Sequence, residues 1–165
     1  MRLFPKSEYN STYEIPFEHL FSQGVRGVIF DIDNTLVLHD EPADDRSIKL
    51  FEKLRNTGLK TCIISNNEEP RVKAFANAVG SKYVYKAGKP LSKGYIKALE
   101  ILGTDRKNTV FVGDQLFTDI AGANNAGIYS ILVKPIGKEK YFHIILKRIL
   151  EAPILFFYHL YCKIY

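Results

Sequence analysis

Val28-Ile29-Phe30-Asp31-Ile32-Asp33-Asn34-Thr35-Leu36 is the stretch that decides the fold. Three apolar residues, preceded by Gly27 and followed by an acid, read as a short strand buried on both faces, as strands of parallel sheets are. The strand runs out into two carboxylates one residue apart. At such an exit, Asp31 and Asp33 can share one side of the chain while Ile32 turns to the core. Downstream, Ile48, Phe51 and Leu54 recur at helical spacing within 45–57, and Gly58 supplies the left-handed stop. Leu59–Ile64 reads as the next buried strand. The alternation then repeats: helix Glu68–Val79 with Pro70 in its first turn, strand Lys82–Tyr85, helix Ser92–Leu102, strand Thr109–Val112, helix Asp119–Ala126 and strand Tyr129–Val133. Phe17–Phe21 suits a short helix, and residues 1–14 read as an irregular lead-in.

Strands alternating with helices predict an α/β fold: three layers, Rossmann-like, a mostly parallel sheet with helices on both faces. The 165 residues suit a single domain, with 138–165 as a basic, aromatic C-terminal segment. In open sheets of this kind ligands sit beyond the carboxyl ends of the strands. Three predicted strands deliver polar clusters there: Asp31 to Thr35, Ser65-Asn66-Asn67, and Gly113-Asp114-Gln115.

Composition narrows the class without naming a substrate. Hydrophobic residues make up 46% and charged residues 25%, which excludes a disordered chain. A formal charge of +5 favours anionic partners without identifying them. Cys62 and Cys162 are too few for a disulfide scaffold or a thiolate metal site. No leader-like segment or run of 18 apolar residues is seen, so a cytoplasmic protein is expected, with attachment to the membrane's inner face left open. His19, His39, His143 and His159 have no ligand spacing to one another, and His39 follows the acidic stretch closely enough to line a pocket mouth.

Asp31, Asp33, Asp114 and Asp119 brought together would raise one another's pKa unless a cation neutralised them. Magnesium suits a few carboxylates plus water and a substrate phosphate. On these residues the chain resembles the haloacid-dehalogenase-like phosphatase superfamily. Asp31-Ile32-Asp33-Asn34-Thr35-Leu36 matches its Asp-x-Asp-x-Thr motif, Ser65 its second motif, Lys89-Pro90 its third, and Gly113-Asp114 with Asp119 its fourth, all in order. The resemblance implies a magnesium-dependent phosphatase in which Asp31 is nucleophile and metal ligand. Asp33 would be the general acid and base, its backbone carbonyl also on the metal. Thr35, Ser65, Asn66 and Lys89 would bind the phosphoryl group. Asp114 would ligate the metal directly, and Asp119 directly or through water.

Members of that superfamily often gain specificity from a cap inserted after the first motif or between the second and third; here both stretches are too short for one. Tyr85-Lys86-Ala87-Gly88-Lys89-Pro90 and Gly113-Asp114-Gln115-Leu116-Phe117-Thr118-Asp119 are similar to the class IIIA branch, grouped with mitochondrial phosphatidylglycerophosphate phosphatase. That similarity implies phosphatidylglycerophosphate as substrate. A soluble sugar, nucleotide or phosphoprotein substrate, or a silent scaffold, are the alternatives. In the tail, Lys138, Lys140, Lys147, Arg148 and Lys163 are interspersed with apolar residues, and Pro153 is expected to break its helix. The segment suits an anionic bilayer, packing against the sheet, or a homo-oligomer interface. No nucleic-acid module accompanies it, so nucleic acid is not an expected partner.

Overall fold

A computed structural model describes residues 3–139 and 141–164, with the side chains of 143, 163 and 164 outside the description; Lys140 and the Lys163 side chain of the basic tail, and the His143 side chain, therefore fall outside it. The elements are β1 (Ser7–Tyr9), α1 (Phe17–Ser22), β2 (Gly27–Phe30), α2 (Asp45–Thr57), β3 (Lys60–Ile64), α3 (Glu69–Val79) and β4 (Lys82–Val84). They continue as α4 (Ser92–Leu102), β5 (Thr109–Gly113), α5 (Ala121–Asn125), β6 (Tyr129–Val133) and α6 (Phe142–Ile164). The strands form one six-stranded sheet in the order β1-β6-β5-β2-β3-β4, every neighbouring pair parallel.

Strand period assigns each side chain to a layer. Val28 and Phe30 of β2, Ile63 of β3, and Val110 and Val112 of β5 face a cluster completed by Phe51 and Leu54 of α2 and Val72 and Phe75 of α3. The intervening Ile29, Cys62 and Phe111 face Tyr95 and Leu99 of α4 and Ala123 of α5. Both faces of the central strands are thus covered, which is why β2 needs no polar alternation. Asp44 caps α2 by accepting from the Ser47 amide at 2.7 Å, and Gly58 closes it at φ 94°.

β2 lies centrally between β3 and β5, and the chain reverses its direction of travel across the sheet there. The reversal opens a crevice at the carboxyl ends of β2 and β5. Only a loop separates β2 from α2, and only α3 lies between β3 and β4, so no large cap covers that crevice.

Three expectations are corrected. Residues 7–14 are not an irregular lead-in: β1 pairs with β6, and a 3₁₀ turn follows at Thr12–Glu14. The Thr12 hydroxyl donates to the Thr35 carbonyl at 2.7 Å, so this segment braces the acidic loop. Its partners are more than a hundred residues away for β1, beyond any local pattern. The helix expected over Asp119–Ala126 is divided: Leu116–Ile120 form a π-helical turn that starts earlier and takes in Asp119, and α5 begins only at Ala121. Pro153 does not break the last helix, which runs through it from Phe142 to Ile164. Proline removes one helical hydrogen bond. Contacts just beyond it hold the helix: Ile154 and Leu155 pack against the Leu116, Ile120 and Leu132 cluster, and the Tyr158 ring meets that of Phe4 at a steep angle.

Candidate active site

Parallel register brings the ends of β2, β3 and β5 to one edge, Phe30 standing beside Ile63 and Val112. The Asp31 amide still donates to the Val112 carbonyl at 3.0 Å, so Asp31 leaves the sheet as rigidly as a strand residue. The chain then folds on itself. Asn34 adopts φ 60°, and its amide and those of Thr35 and Leu36 bond to the carbonyls of Val37, Ile32 and Ile32. Asparagine tolerates that left-handed conformation better than most residues, which gives its place in the motif a backbone reason.

Lys89 reaches the floor of the crevice from the loop after β4. Its Nζ donates to Asp31 Oδ1 at 2.6 Å and to Asp119 Oδ1 at 2.7 Å. Asn66 grips the Lys89 main chain from both sides, accepting its amide at 2.8 Å and donating to its carbonyl at 3.2 Å. The second oxygen of Asp119 accepts the amides of Asp114 and Gln115 at 3.2 and 3.1 Å. Gly113 makes that approach feasible, because a Cβ there would lie 2.7 Å from the Asp119 side chain. Tyr95, buried beneath, donates to the carbonyls of Thr118 and Asp119 and supports the π turn.

Asp31, Asp114 and Asp119 are all buried and can each offer a carboxylate oxygen within 4.8 Å of the others. Burial pushes the Asp31 carboxyl up to about 7; the Lys89 ammonium works against this, while Asp119 and Asp33 add to it. Burial also raises Asp114 well above the carboxylate range, against the Arg148 guanidinium beside it. Burial disfavours the Lys89 ammonium too, yet Asp119 and Asp31 hold its pKa well above the ordinary lysine value. Three clustered acids with hard oxygen donors, and no thiolate or imidazole among them, fit a divalent cation of the magnesium type, which would relieve the charge that burial penalises.

The raised Asp31 value has a consequence for stability. A folded-state pKa of about 7 against an ordinary 3.8 means that the metal-free fold binds a proton the unfolded chain has lost. The associated stability is complete below the ordinary value and is lost as pH rises through about 7. The melting temperature of wild type in chelator should therefore fall from about pH 5 to 8 more steeply than that of Asp31→Asn, and added magnesium should reduce the difference. Parallel profiles would rule out the Asp31 shift.

The crevice holds about 330 Å³ and is lined by Asp31, Asp33, Ser65 and Lys89 on its floor and by Asn66, Asn67, Gln115 and Thr118 around them. His39, Asp40, Tyr141, Ile144 and Lys147 form its mouth. His39 stands where the sequence placed it, its ring 4.8 Å from that of Tyr141, whose hydroxyl donates to Asp40 at 2.8 Å. Thr35 is not on this wall: its hydroxyl donates to Asp114 Oδ1 at 3.1 Å, behind the acid. Asp33 receives the Asp40 amide at 3.0 Å, Asn67 Nδ2 at 2.7 Å and Arg71 Nη2 at 3.1 Å, a three-donor cradle that fixes its rotamer.

Sequence reasoning missed Arg71, which lies on α3 and carries no motif signal. It also missed the part α6 plays. Arg148 donates to the Asp114 side chain and, at 2.6 Å, to the Asp114 carbonyl. Tyr141, Ile144 and Lys147 bring the tail into the mouth itself. Among the described residues no helix is long and apolar enough to cross a membrane.

A parallel-sheet α/β protein with an acid-lined crevice at its strand ends is the class that this fold and site define. The haloacid dehalogenase-like hydrolase family model matches residues 38–127. A Bacillus subtilis protein named "Probable phosphatase YqeG" is 38% identical over 152 residues, covering 92% of this chain and 88% of its own. The chain belongs to the haloacid dehalogenase-like hydrolase family. Solved structures share the fold at low identity. The cobalt-bound deoxy-D-mannose-octulosonate 8-phosphate phosphatase of Haemophilus influenzae superposes with a TM-score of 0.55 at 14% identity, over 67% of this chain and 69% of that one. A phosphatase of the same superfamily from Thermococcus onnurineus gives 0.54 at 18% identity, over 72% and 90%.

Proposed function

We propose that this chain is a magnesium-dependent phosphomonoesterase that works through an aspartyl-phosphate on Asp31 and hydrolyses phosphatidylglycerophosphate to phosphatidylglycerol. The observation that carries the chemistry is the Asp31 carboxylate on the crevice floor, 2.6 Å from the Lys89 ammonium and beside Asp114 and Asp119.

An Asp31 oxygen attacks phosphorus as the ester P–O bond breaks, and the Asp33 carboxyl delivers its proton to the departing oxygen. The Asp33 carboxylate then takes a proton from water, whose oxygen attacks the same phosphorus. The bond to Asp31 breaks and inorganic phosphate leaves. Lys89 offsets the repulsion between a carboxylate and a phosphate, and Ser65 presents its hydroxyl from the crevice floor. Thr35 contributes from behind Asp114, Asn66 through the Lys89 main chain, and Asp119 by orienting Lys89. Asp31, Asp114, the Asp33 carbonyl and, directly or through water, Asp119 would hold the magnesium ion. That ion would supply charge neutralisation for the phosphoryl oxygens.

A lipid substrate is supported by what surrounds the mouth. Without a large cap, the crevice admits a headgroup still attached to a bilayer. α6, which lines one side with Ile144 and Lys147, exposes Phe142, Ile149, Leu150, Phe156 and Phe157 along its length. Cationic helices with exposed aromatic and aliphatic side chains lie readily on anionic membranes.

The test is a phosphate-release screen offering phosphatidylglycerophosphate in anionic vesicles beside water-soluble phosphomonoesters. We expect preference for the vesicle lipid and flotation of the protein with vesicles, both weakened in the double variant Phe156→Ser, Phe157→Ser. Preference for a soluble monoester with no flotation would overturn the lipid assignment while leaving the phosphatase chemistry intact.

A further inference from the structure

α6 does more than wall the mouth. Its inward side carries Arg148 and the buried Glu151, which with Glu139 just before the helix form an ionic cluster in direct contact with the loop that bears Asp114 and Asp119. Arg148 Nη1 donates to the Asp114 carbonyl at 2.6 Å, and Nη2 donates to the Asp114 carboxylate. The same guanidinium is held by Glu139 Oε1, at 3.0 Å from Nε and 2.7 Å from Nη2, and by Glu151 Oε2 at 3.0 Å. The other oxygen of Glu151 accepts the Leu116 amide at 2.8 Å and the Phe117 amide at 3.4 Å. Those amides open the π turn that delivers Asp119 and, like the first N–H groups of any helical turn, need an external acceptor.

We propose that Arg148 and Glu151 are positioning residues for the cation site, and that docking of α6 and binding of a divalent cation are therefore coupled. The inference rests on the reading of Asp31, Asp114 and Asp119 as that site. A planar guanidinium can grip the carbonyl and carboxylate of one residue together, which an ammonium cannot do with comparable geometry. Arg148 is anchored by Glu139 and Glu151 from its own segment, so its place does not depend on Asp114. Each Asp114 oxygen receives one protein donor, Thr35 on Oδ1 and Arg148 on Oδ2, and each retains a lone pair for a cation. The arrangement orients the acid and leaves it able to bind. Partners that orient metal ligands in this way are worth about 10–100-fold in metal affinity. Coupling is reciprocal: whatever affinity α6 lends the cation, the cation returns as stability of the docked helix.

The experiment uses the full chain with magnesium alone as probe. Calorimetric magnesium binding is compared for wild type, Arg148→Gln, Arg148→Lys and Glu151→Gln, each checked for a cooperative unfolding transition. Backbone hydrogen exchange across α6 is followed with and without the ion. We expect binding about 10–100-fold weaker in Arg148→Gln, partial recovery in Arg148→Lys, and weakening in Glu151→Gln, which never touches Asp114. Magnesium should slow exchange across α6 in wild type and much less in Arg148→Gln. If Arg148→Gln does not fold, Arg148→Lys and Glu151→Gln decide the matter. Equal or tighter binding in the variants, or α6 exchange indifferent to magnesium, overturns the coupling alone. No magnesium binding by wild type overturns the cation-site reading and the coupling with it.

Discussion

Replacing Asp31 with Asn should lower magnesium-dependent phosphate release by on the order of 10⁴-fold or more, the scale of losing a covalent nucleophile. The amide is nearly isosteric and its oxygen can still accept from Lys89, so the crevice keeps its shape. What it loses is the charge and the oxygen that would bond phosphorus. Acid-quenched wild type incubated with labelled substrate should carry a phosphoryl group, and the variant should carry none. Relief of a buried acid whose pKa stands at about 7 also means that the folded variant should resist heat at least as well as metal-free wild type in alkaline buffer. A loss of activity with an intact melting transition therefore separates chemistry from folding. Full activity in the variant would remove Asp31 from the role of nucleophile.

Asp33→Asn should cost about 10²–10⁴-fold on alkyl phosphomonoesters, the usual contribution of general acid–base transfer. The loss should divide between two steps in a substrate-dependent way. An alkoxide leaves poorly without a proton, so the first step suffers with alkyl substrates. A nitrophenyl ester leaves without help, so only the second step, activation of water, should be slowed. The variant should then show a burst of nitrophenol followed by slow turnover, with phosphoryl-enzyme accumulating. The Asp40 N–H and Arg71 can still donate to the amide oxygen in place of Oδ1, while the NH₂ group takes the place of the Oδ2 that accepts from Asn67 and will loosen the cradle there. Equal losses for both leaving groups with no burst would assign Asp33 a structural role instead.

Much of this site is legible in one dimension because the chemistry hangs on strand ends. Asp31, Ser65 and Asp114 each come directly after a short apolar run. In a parallel sheet, runs that pair in register must deliver their next residues to the same edge. The elements read least well are those whose energetics are remote. β1 has only three residues and exists because the main chain of β6 pairs with it. The helix across Pro153 persists because residues beyond it pack against the sheet layer and the N-terminal Phe4, contacts that outweigh one absent hydrogen bond.

Sequence alone determined the alternation of strand and helix, written in residue type and spacing, and, through the family motifs they match, the acids and lysine of the crevice and the lack of room for a large cap. Only the tertiary structure decided how those groups are held. Arg71 meets Asp33, and Arg148 meets Asp114, across separations of 38 and 34 residues with no shared local period. Thr35 turned out to face Asp114, and the basic aromatic tail proved to be both a packed helix and a wall of the mouth. The physical reason is the same in each case: an ion pair or hydrogen bond constrains two side chains in space, and chain order constrains them only where the backbone between them is a single regular element.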